Sequence, residues 1–326
     1  MFCLHLQRAE GFKHTYFAII FARPMDNTHH QRKVFIGISL AVLATLIWSG
    51  NFIIARSVIK TIQPVTLAFY RWLTATVIIA PFAWKYFFAE IKVIKQRFLF
   101  FLLAAVTGVS MFNTFVYIAG HYSSAINMAI LGTCSSPIMS VILARIFLKE
   151  KISGLRVAGM IVCICGILLL LSKGNIQNLL SFKFTKGDWW IMAAALSFAI
   201  YNTTVKKKPG GTHPVNFLFT VFLLGTIILF PFYLSELNKY GGMEINAANL
   251  STILYLGLGT SVICFYIWNK AIAALGSGRT ALFGNLIPIF SSIEAVLILH
   301  EQFTWIHIVS MIIVFAGIIL ANLRSA

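Results

Sequence analysis

Residues 137–150 read PIMSVILARIFLKE, and residues 288–301 read PIFSSIEAVLILHE. Set one above the other without a gap, they put Pro137 on Pro288, Ser140 on Ser291, Ile142 on Ile293, Leu148 on Leu299 and Glu150 on Glu301. The same 151-residue register runs outward. Leu131 meets Leu282, Met160-Ile161 meets Met311-Ile312, Gly166 meets Gly317, and Ile167 and Leu169 meet identical residues. Near the front of each half, Ala44 meets Ala195 and Asn51 meets Asn202. Ile and Leu matches come easily in apolar sequence; the Pro, Glu, Gly and Asn matches do not. The chain reads as two copies of one unit.

The solvent of that unit follows from composition. Hydrophobic residues make up 59% of the 326, charged residues 11%, and the mean hydropathy is +0.86. A soluble domain carries roughly 25% charged residues, so these residues cannot furnish a water-facing surface. Hydrocarbon can replace water if every backbone polar group is bonded within a helix or a closed barrel. The apolar stretches run about 18–24 residues, the length of a membrane helix rather than of a barrel strand.

Ten spans are expected near 34–55, 65–86, 98–118, 124–147, 155–172, 188–205, 215–234, 250–270, 279–299 and 305–323. The longest connections, about 173–187 and 235–249, hold Gly, Asn, Ser and Lys and read as surface loops. Residues 1–33 form a cytoplasmic leader. Within it, Tyr16–Ala22 is too short for a span, and residues 1–24 have the marks of an extension from a misplaced start. The two halves are 34–172 and 187–323.

Orientation follows from the cations. With the N-terminus in the cytoplasm, the inner segments hold eighteen Lys and Arg and the outer ones six, so both termini are expected inside. The net charge of +17 is spread in short clusters between apolar runs, which speaks against a nucleic-acid partner. Five cysteines give neither a disulfide framework nor a metal site, since Cys163 and Cys165 do not share a helix face. No cofactor and no metal are expected.

Five spans per half is an odd number, so the second copy enters the membrane from the opposite side. An inverted repeat supports two nearly equivalent packings, inward- and outward-facing, around a midplane site. Enzymes and receptors have no general need of that symmetry; transporters do. A polytopic membrane enzyme is the competing class, but the nine Asp and Glu form no HxxxxD, HExxH or paired-Asp motif, and no P-loop is present. A channel would need a pore loop or a ring of like charges.

Specific residues narrow the family. ATLIWSGNF at 44–52, Phe69-Tyr70-Arg71, Pro137 with Leu148-Lys149-Glu150, and Pro288 with Leu299-His300-Glu301 resemble the EamA family of the drug/metabolite transporter superfamily, over 34–323. His300 departs from the usual Gly before the Glu, and Glu294 is not a general feature of the family. The resemblance implies a secondary transporter that exports or imports small metabolites, often amino acids, across a bacterial inner membrane, and export is the direction expected here. Substrate and lipid are then the partners, a proton is the candidate coupling ion, and the chain is a monomer or weak homodimer. An extruder of lipophilic cationic drugs stays open, because a membrane-embedded Glu294 suits such cargo.

Polar groups in hydrocarbon each need a reason. Arg71 and Glu294 each lie about six residues from an outer helix end, roughly 9 Å deep at 1.5 Å per residue. Equal depth allows an ion pair, or a shared grip on a substrate's carboxylate and amine with Glu294 titrating. Pro137 and Pro288 are hinge candidates, each removing a mid-helix hydrogen bond. The substrate-binding candidates are Trp48, Asn51, Tyr70, Arg71, Asn113, Asn202, Tyr266 and Asn285, an aromatic and amide set of the kind that lines small-molecule pockets. Tyr117 and Trp268 read as interface anchors as readily as pocket residues. Glu150 and Glu301 fall at helix ends, where they can cap the next helix. Spans five and ten are apolar and glycine-bearing. They are expected to face lipid, bracing each half or making a dimer contact through Gly159, Gly166 and Gly317.

Overall fold

The computed structural model describes residues 25–58, 61–123, 125–180, 184–299 and 304–323. Side chains at 25–30, 51–58, 125–130, 133–134, 292, 295–296 and 298–299 lie outside that description, as do residues 1–24, His300, Glu301 and Arg324. The regular structure of the described residues is all helical, with no strand among them.

We number the long helical stretches α1 (Met25–Val58), α2 (Pro64–Ala89), α3 (Phe98–Tyr122), α4 (Ala125–Leu148), α5 (Gly154–Ser172), α6 (Lys186–Lys206), α7 (Pro214–Tyr240), α8 (Ala247–Leu275), α9 (Ser277–Leu282 continuing to Leu299) and α10 (Trp305–Asn322). Seven are long and apolar enough to cross a membrane: Gln31–Gly50 within α1, then α2, α3, α5, α7, α8 and α10. Residues 25–33 wind directly into α1. His121 lies in the exposed last turn of α3. Loop 173–187 carries a short helix, Ile176–Leu180.

The helix ends explain their own positions. Pro64 opens α2 and Pro214 opens α7, where the missing N–H costs no hydrogen bond. The remaining free amides are satisfied across the pair. Glu236, near the end of α7, accepts from Thr66 N at 2.6 Å and Val65 N at 3.3 Å. Glu90, at the end of α2, accepts from His213 N at 2.9 Å and Asn216 Nδ2 at 2.6 Å. Each helix thus caps the start of the other. Glu150 behaves similarly, but not toward the next helix as expected. It reaches Ser277 N at the start of α9, 3.2 Å away, with Arg156 of α5 at 3.9 Å. Gly276 makes this possible: its φ of +92° and the Glu150 oxygen 2.9 Å from where a Cβ would stand admit only glycine.

The closest helix pairs join one half to the other, so the halves interlace. α2 packs on α7, α1 on α8 and α9, α4 and α3 on α6, and α5 on α10. A Cβ on Gly159 would lie 2.4 Å from Gly317 O, and one on Gly317 would lie 2.7 Å from Cys163 N. These glycines, with Gly166 against Val314, therefore bring α5 and α10 into backbone contact within one chain. Of the two roles expected for these glycines, the structure shows the bracing one, within a single chain.

The repeat is also visible in backbone irregularities. α3 is π-helical over Val106–Met111, and α8 over Tyr255–Ile263. In the 151-residue register those segments coincide, with Gly108 on Gly259 and Ser110 on Ser261. π segments re-aim side chains and release carbonyls, and they recur at functional sites. The proline helices match less well. α4 runs unbroken through Pro137, whereas α9 narrows to a 3-10 turn at Phe283–Leu286 just before Pro288.

Candidate substrate site

The π segment of α8 builds the centre of the molecule. In it, the amide of Cys264 turns to the Gly259 carbonyl, one residue beyond the α-helical partner. The Thr260 carbonyl is thereby released from the helix ladder and receives two side chains instead. Trp48 Nε1 of α1 donates to it at 2.8 Å, and an Arg71 terminal nitrogen of α2 donates at 3.3 Å.

Arg71 is 1% exposed. Its Nε donates to Ser261 Oγ at 2.8 Å, and its other terminal nitrogen donates to Asn113 Oδ1 at 3.0 Å and Tyr117 Oη at 2.9 Å. The guanidinium also lies over the Trp72 ring, 5.1 Å from its centroid. Every acceptor is neutral, and among the described residues no carboxylate lies within ion-pair distance of it. A buried cation with neutral partners only is costly unless an anion joins it. Beside it, Asn113 Nδ2 is buried with no hydrogen-bond partner, as is Trp72 Nε1.

Glu294 on α9 turns elsewhere. Its Oε1 accepts from Ser49 Oγ of α1 at 2.7 Å, and its Oε2 is buried and unpartnered near Gly50. Tyr255 flanks the same stretch of α1, donating to the Ile47 carbonyl at 2.8 Å, while Ser291 donates to the Ser49 carbonyl at 3.2 Å. The expected ion pair between Arg71 and Glu294 is therefore not formed here. Equal depth does not fix direction about the helix axis: α2 aims Arg71 at α3 and α8, and α9 aims Glu294 at α1.

An aromatic layer surrounds Trp48. Its ring centroid is 5.0 Å from Trp268, 5.8 Å from Phe198 and 5.9 Å from Phe265. Trp268 Nε1 donates to Asn202 Oδ1 at 2.9 Å, leaving Asn202 Nδ2 fully buried and unpartnered. Tyr201 Oη takes a hydrogen bond from Asn269 Nδ2 at 2.9 Å.

Of the sequence candidates, Trp48, Arg71 and Asn113 meet at one place, with Asn202 joined to them through Trp268. Tyr70 instead pairs with Tyr233 of α7, the hydroxyls 3.0 Å apart. Tyr266 lies under the Lys270 ammonium, 4.4 Å from its ring centroid, toward the end of α8. Asn285 is buried beside the Cys163 thiol of α5. The Asn51 side chain lies outside the described residues. Tyr117 and Trp268 are not interface anchors, since each is 1% exposed and hydrogen-bonded in the core.

Sequence reasoning missed Ser261, Thr260 and Trp72. The register match of Ser110 to Ser261 was the available signal. Ser110 also bridges helices, donating to the Gly225 carbonyl of α7 at 3.2 Å. The repeat then shows an asymmetry. The equivalents of Arg71, Asn113 and Tyr117 are Phe222, Cys264 and Trp268. The buried guanidinium therefore has no charged counterpart at the equivalent position of the other half.

A helical bundle of two interlaced repeats, with a buried cation at its centre and an apolar exterior, defines a multi-pass membrane transporter rather than an enzyme. The chain belongs to the EamA-like transporter family, whose model matches residues 35–172 and 185–323. A protein of Archaeoglobus fulgidus named an uncharacterized transporter is 28% identical over 287 residues, covering 88% of this chain and 97% of the relative. The Escherichia coli protein named "Probable amino-acid metabolite efflux pump" is 22% identical over 289 residues, 86% of this chain and 92% of that one. A solved crystal structure shares the fold with a TM-score of 0.71 at 15% identity, over 90% of this chain and 96% of the other.

Proposed function

We propose that this chain is a secondary exporter of amino acids or closely related small metabolites, working by alternating access across a bacterial inner membrane. The observation that carries this reading is the buried Arg71 guanidinium, which has four neutral hydrogen-bond partners and, among the described residues, no carboxylate. A substrate carboxylate entering beside it would complete the charge, with Asn113 Nδ2 as a second donor. The printed name of the Escherichia coli relative supports the same substrate class. In this reading α4, α6 and α9 also span the membrane, giving ten helices with both termini cytoplasmic and halves at 34–172 and 187–323.

Glu294 is the coupling residue in this scheme, with the proton as the ion. One of its oxygens is held by Ser49, and the other is without a partner. Pro137 and Pro288 are the hinges about which α4 and α9 bend. The end where α4 finishes and α9 begins is latched by Glu150 on Ser277 N, which supports a state closed toward the cytoplasm.

A second reading has one observation in its favour: the aromatic layer of Trp48, Phe198, Phe265 and Trp268 would also accept a lipophilic cation, with Glu294 as counter-charge. Counterflow in proteoliposomes separates the two. Exchange of a radiolabelled amino acid that is lost in Arg71→Gln supports the proposal. Saturable movement of a lipophilic cation without amino-acid exchange overturns it.

A further inference from the structure

Away from the Arg71 cluster, a cavity of about 410 Å³ opens between the Arg32–Leu40 stretch of α1 and the last turns of α8. Its walls are of two kinds. Arg32, Lys33 and Lys270 are cationic, and Ile36, Leu40 and Ala274 are apolar. Among the described residues no carboxylate lines it. Beside it, Lys206 Nζ donates to the Ile272 and Ala273 carbonyls at 3.2 and 3.3 Å, its charge facing Lys33 on one side and offset by Glu150 on the other.

Three features point to what belongs there. Along α1 the two cations come first and Ile36 and Leu40 follow one and two turns deeper, the order of charge and hydrocarbon in a lipid. Lys270 lies a turn inside the end of α8, its ammonium resting on the Tyr266 ring rather than on a carboxylate. A cation so placed is costly without an anion. Finally, the cleft is not a requirement of the repeat. The equivalents of Lys33 and Lys270 in the other half are Phe184 and Ala119, whereas Arg32 falls on Lys183, so two of the three cations are peculiar to this cleft.

We infer that this cleft binds the phosphodiester headgroup of an anionic phospholipid from the leaflet on that side. The phosphate sits among Arg32, Lys33 and Lys270, and the glycerol and first methylenes lie against Ile36 and Leu40. The lipid would bridge the two halves at the seam where Gly37 of α1 meets Ala274 and Leu275 of α8. The inference needs only that the chain lies in a membrane and is independent of the substrate.

Native mass spectrometry of the purified full chain tests it, with phosphatidylglycerol and phosphatidylcholine offered together. Retained adducts should be phosphatidylglycerol, and each of Arg32→Gln and Lys270→Gln should weaken retention about fivefold, the effect expected of one cation near an anionic surface. Lys92→Gln, a cation of the same face outside the cleft, should leave it unchanged. Equal retention of phosphatidylcholine would overturn the inference. So would an equal effect of Lys92→Gln, or displacement by millimolar inorganic phosphate, which would make the site one for free anions. Should Lys270→Gln lower thermal stability in detergent, Lys270→Arg must still retain the lipid, and its failure to do so also overturns the inference.

Discussion

Trp48 of the first half donates its indole hydrogen to the Thr260 carbonyl of the second, 2.8 Å away. The acceptor is free because the π segment of α8 has moved its usual amide to Gly259. That one carbonyl also receives Arg71, so the irregular backbone sets where the central charge rests.

Trp48→Phe should therefore disturb more than packing. The ring layer is retained, but the hydrogen bond is lost, at a cost of about 1 kcal/mol. Thermal unfolding in detergent should show a modest decrease, and amino-acid exchange a larger one, because Arg71 loses its shared anchor. Full transport in a destabilised Trp48→Phe would remove Thr260 from the site.

Arg71→Lys should not substitute for the native residue. A point charge cannot reach Ser261, Asn113 and Tyr117 together as the guanidinium fork does. The expected result is a KM raised roughly tenfold or more, the scale of losing one charge-assisted hydrogen bond, with normal membrane insertion. The charge-swapped Arg71→Glu with Glu294→Arg should remain as inactive as its worse single variant. Recovery to native rates would mean that the two charges pair during the cycle.

Glu294→Gln keeps the hydrogen bond from Ser49 but cannot exchange a proton. Counterflow should persist while accumulation driven by a pH gradient disappears. If gradient-driven accumulation were unchanged, the coupling role would belong to another group.

Glu90→Gln and Glu236→Gln should each lower stability by about 1 kcal/mol, as for loss of a helix cap. The two caps sit at opposite ends of the α2–α7 pair, so the double variant should show the sum within about 0.5 kcal/mol. A markedly non-additive result would mean that the ends communicate.

Gly317→Leu should prevent α5 and α10 from closing, since even a Cβ there would lie 2.7 Å from Gly159 O. Strong loss of folded protein is the expected outcome, measured as the monodisperse fraction after extraction. A normal yield would show that α5 and α10 can separate.

The double architecture was legible because Pro, Glu, Gly and Asn rarely recur by chance at one spacing in an apolar chain. The interlacing of the halves was not, since a register says which residues are equivalent but not which touch. Arg71 was found because a lone charge in hydrocarbon stands out. Ser261, which holds it, is a residue type found anywhere in a membrane helix, and only the π turn singles it out. The pairing of Arg71 with Glu294 failed because depth is one coordinate and azimuth another.

The exchanged caps of Glu90 and Glu236 also have a consequence for biosynthesis. As the chain leaves the ribosome, the start of α2 is made long before residue 236, and its amides must wait for a partner that is not yet translated. The first five helices are then an unfinished object until α7 arrives. A gene divided near residue 180 should yield two fragments that are each degraded when produced alone and protected when produced together. A duplication that began with two self-sufficient copies would, by this exchange, have made each copy dependent on the other.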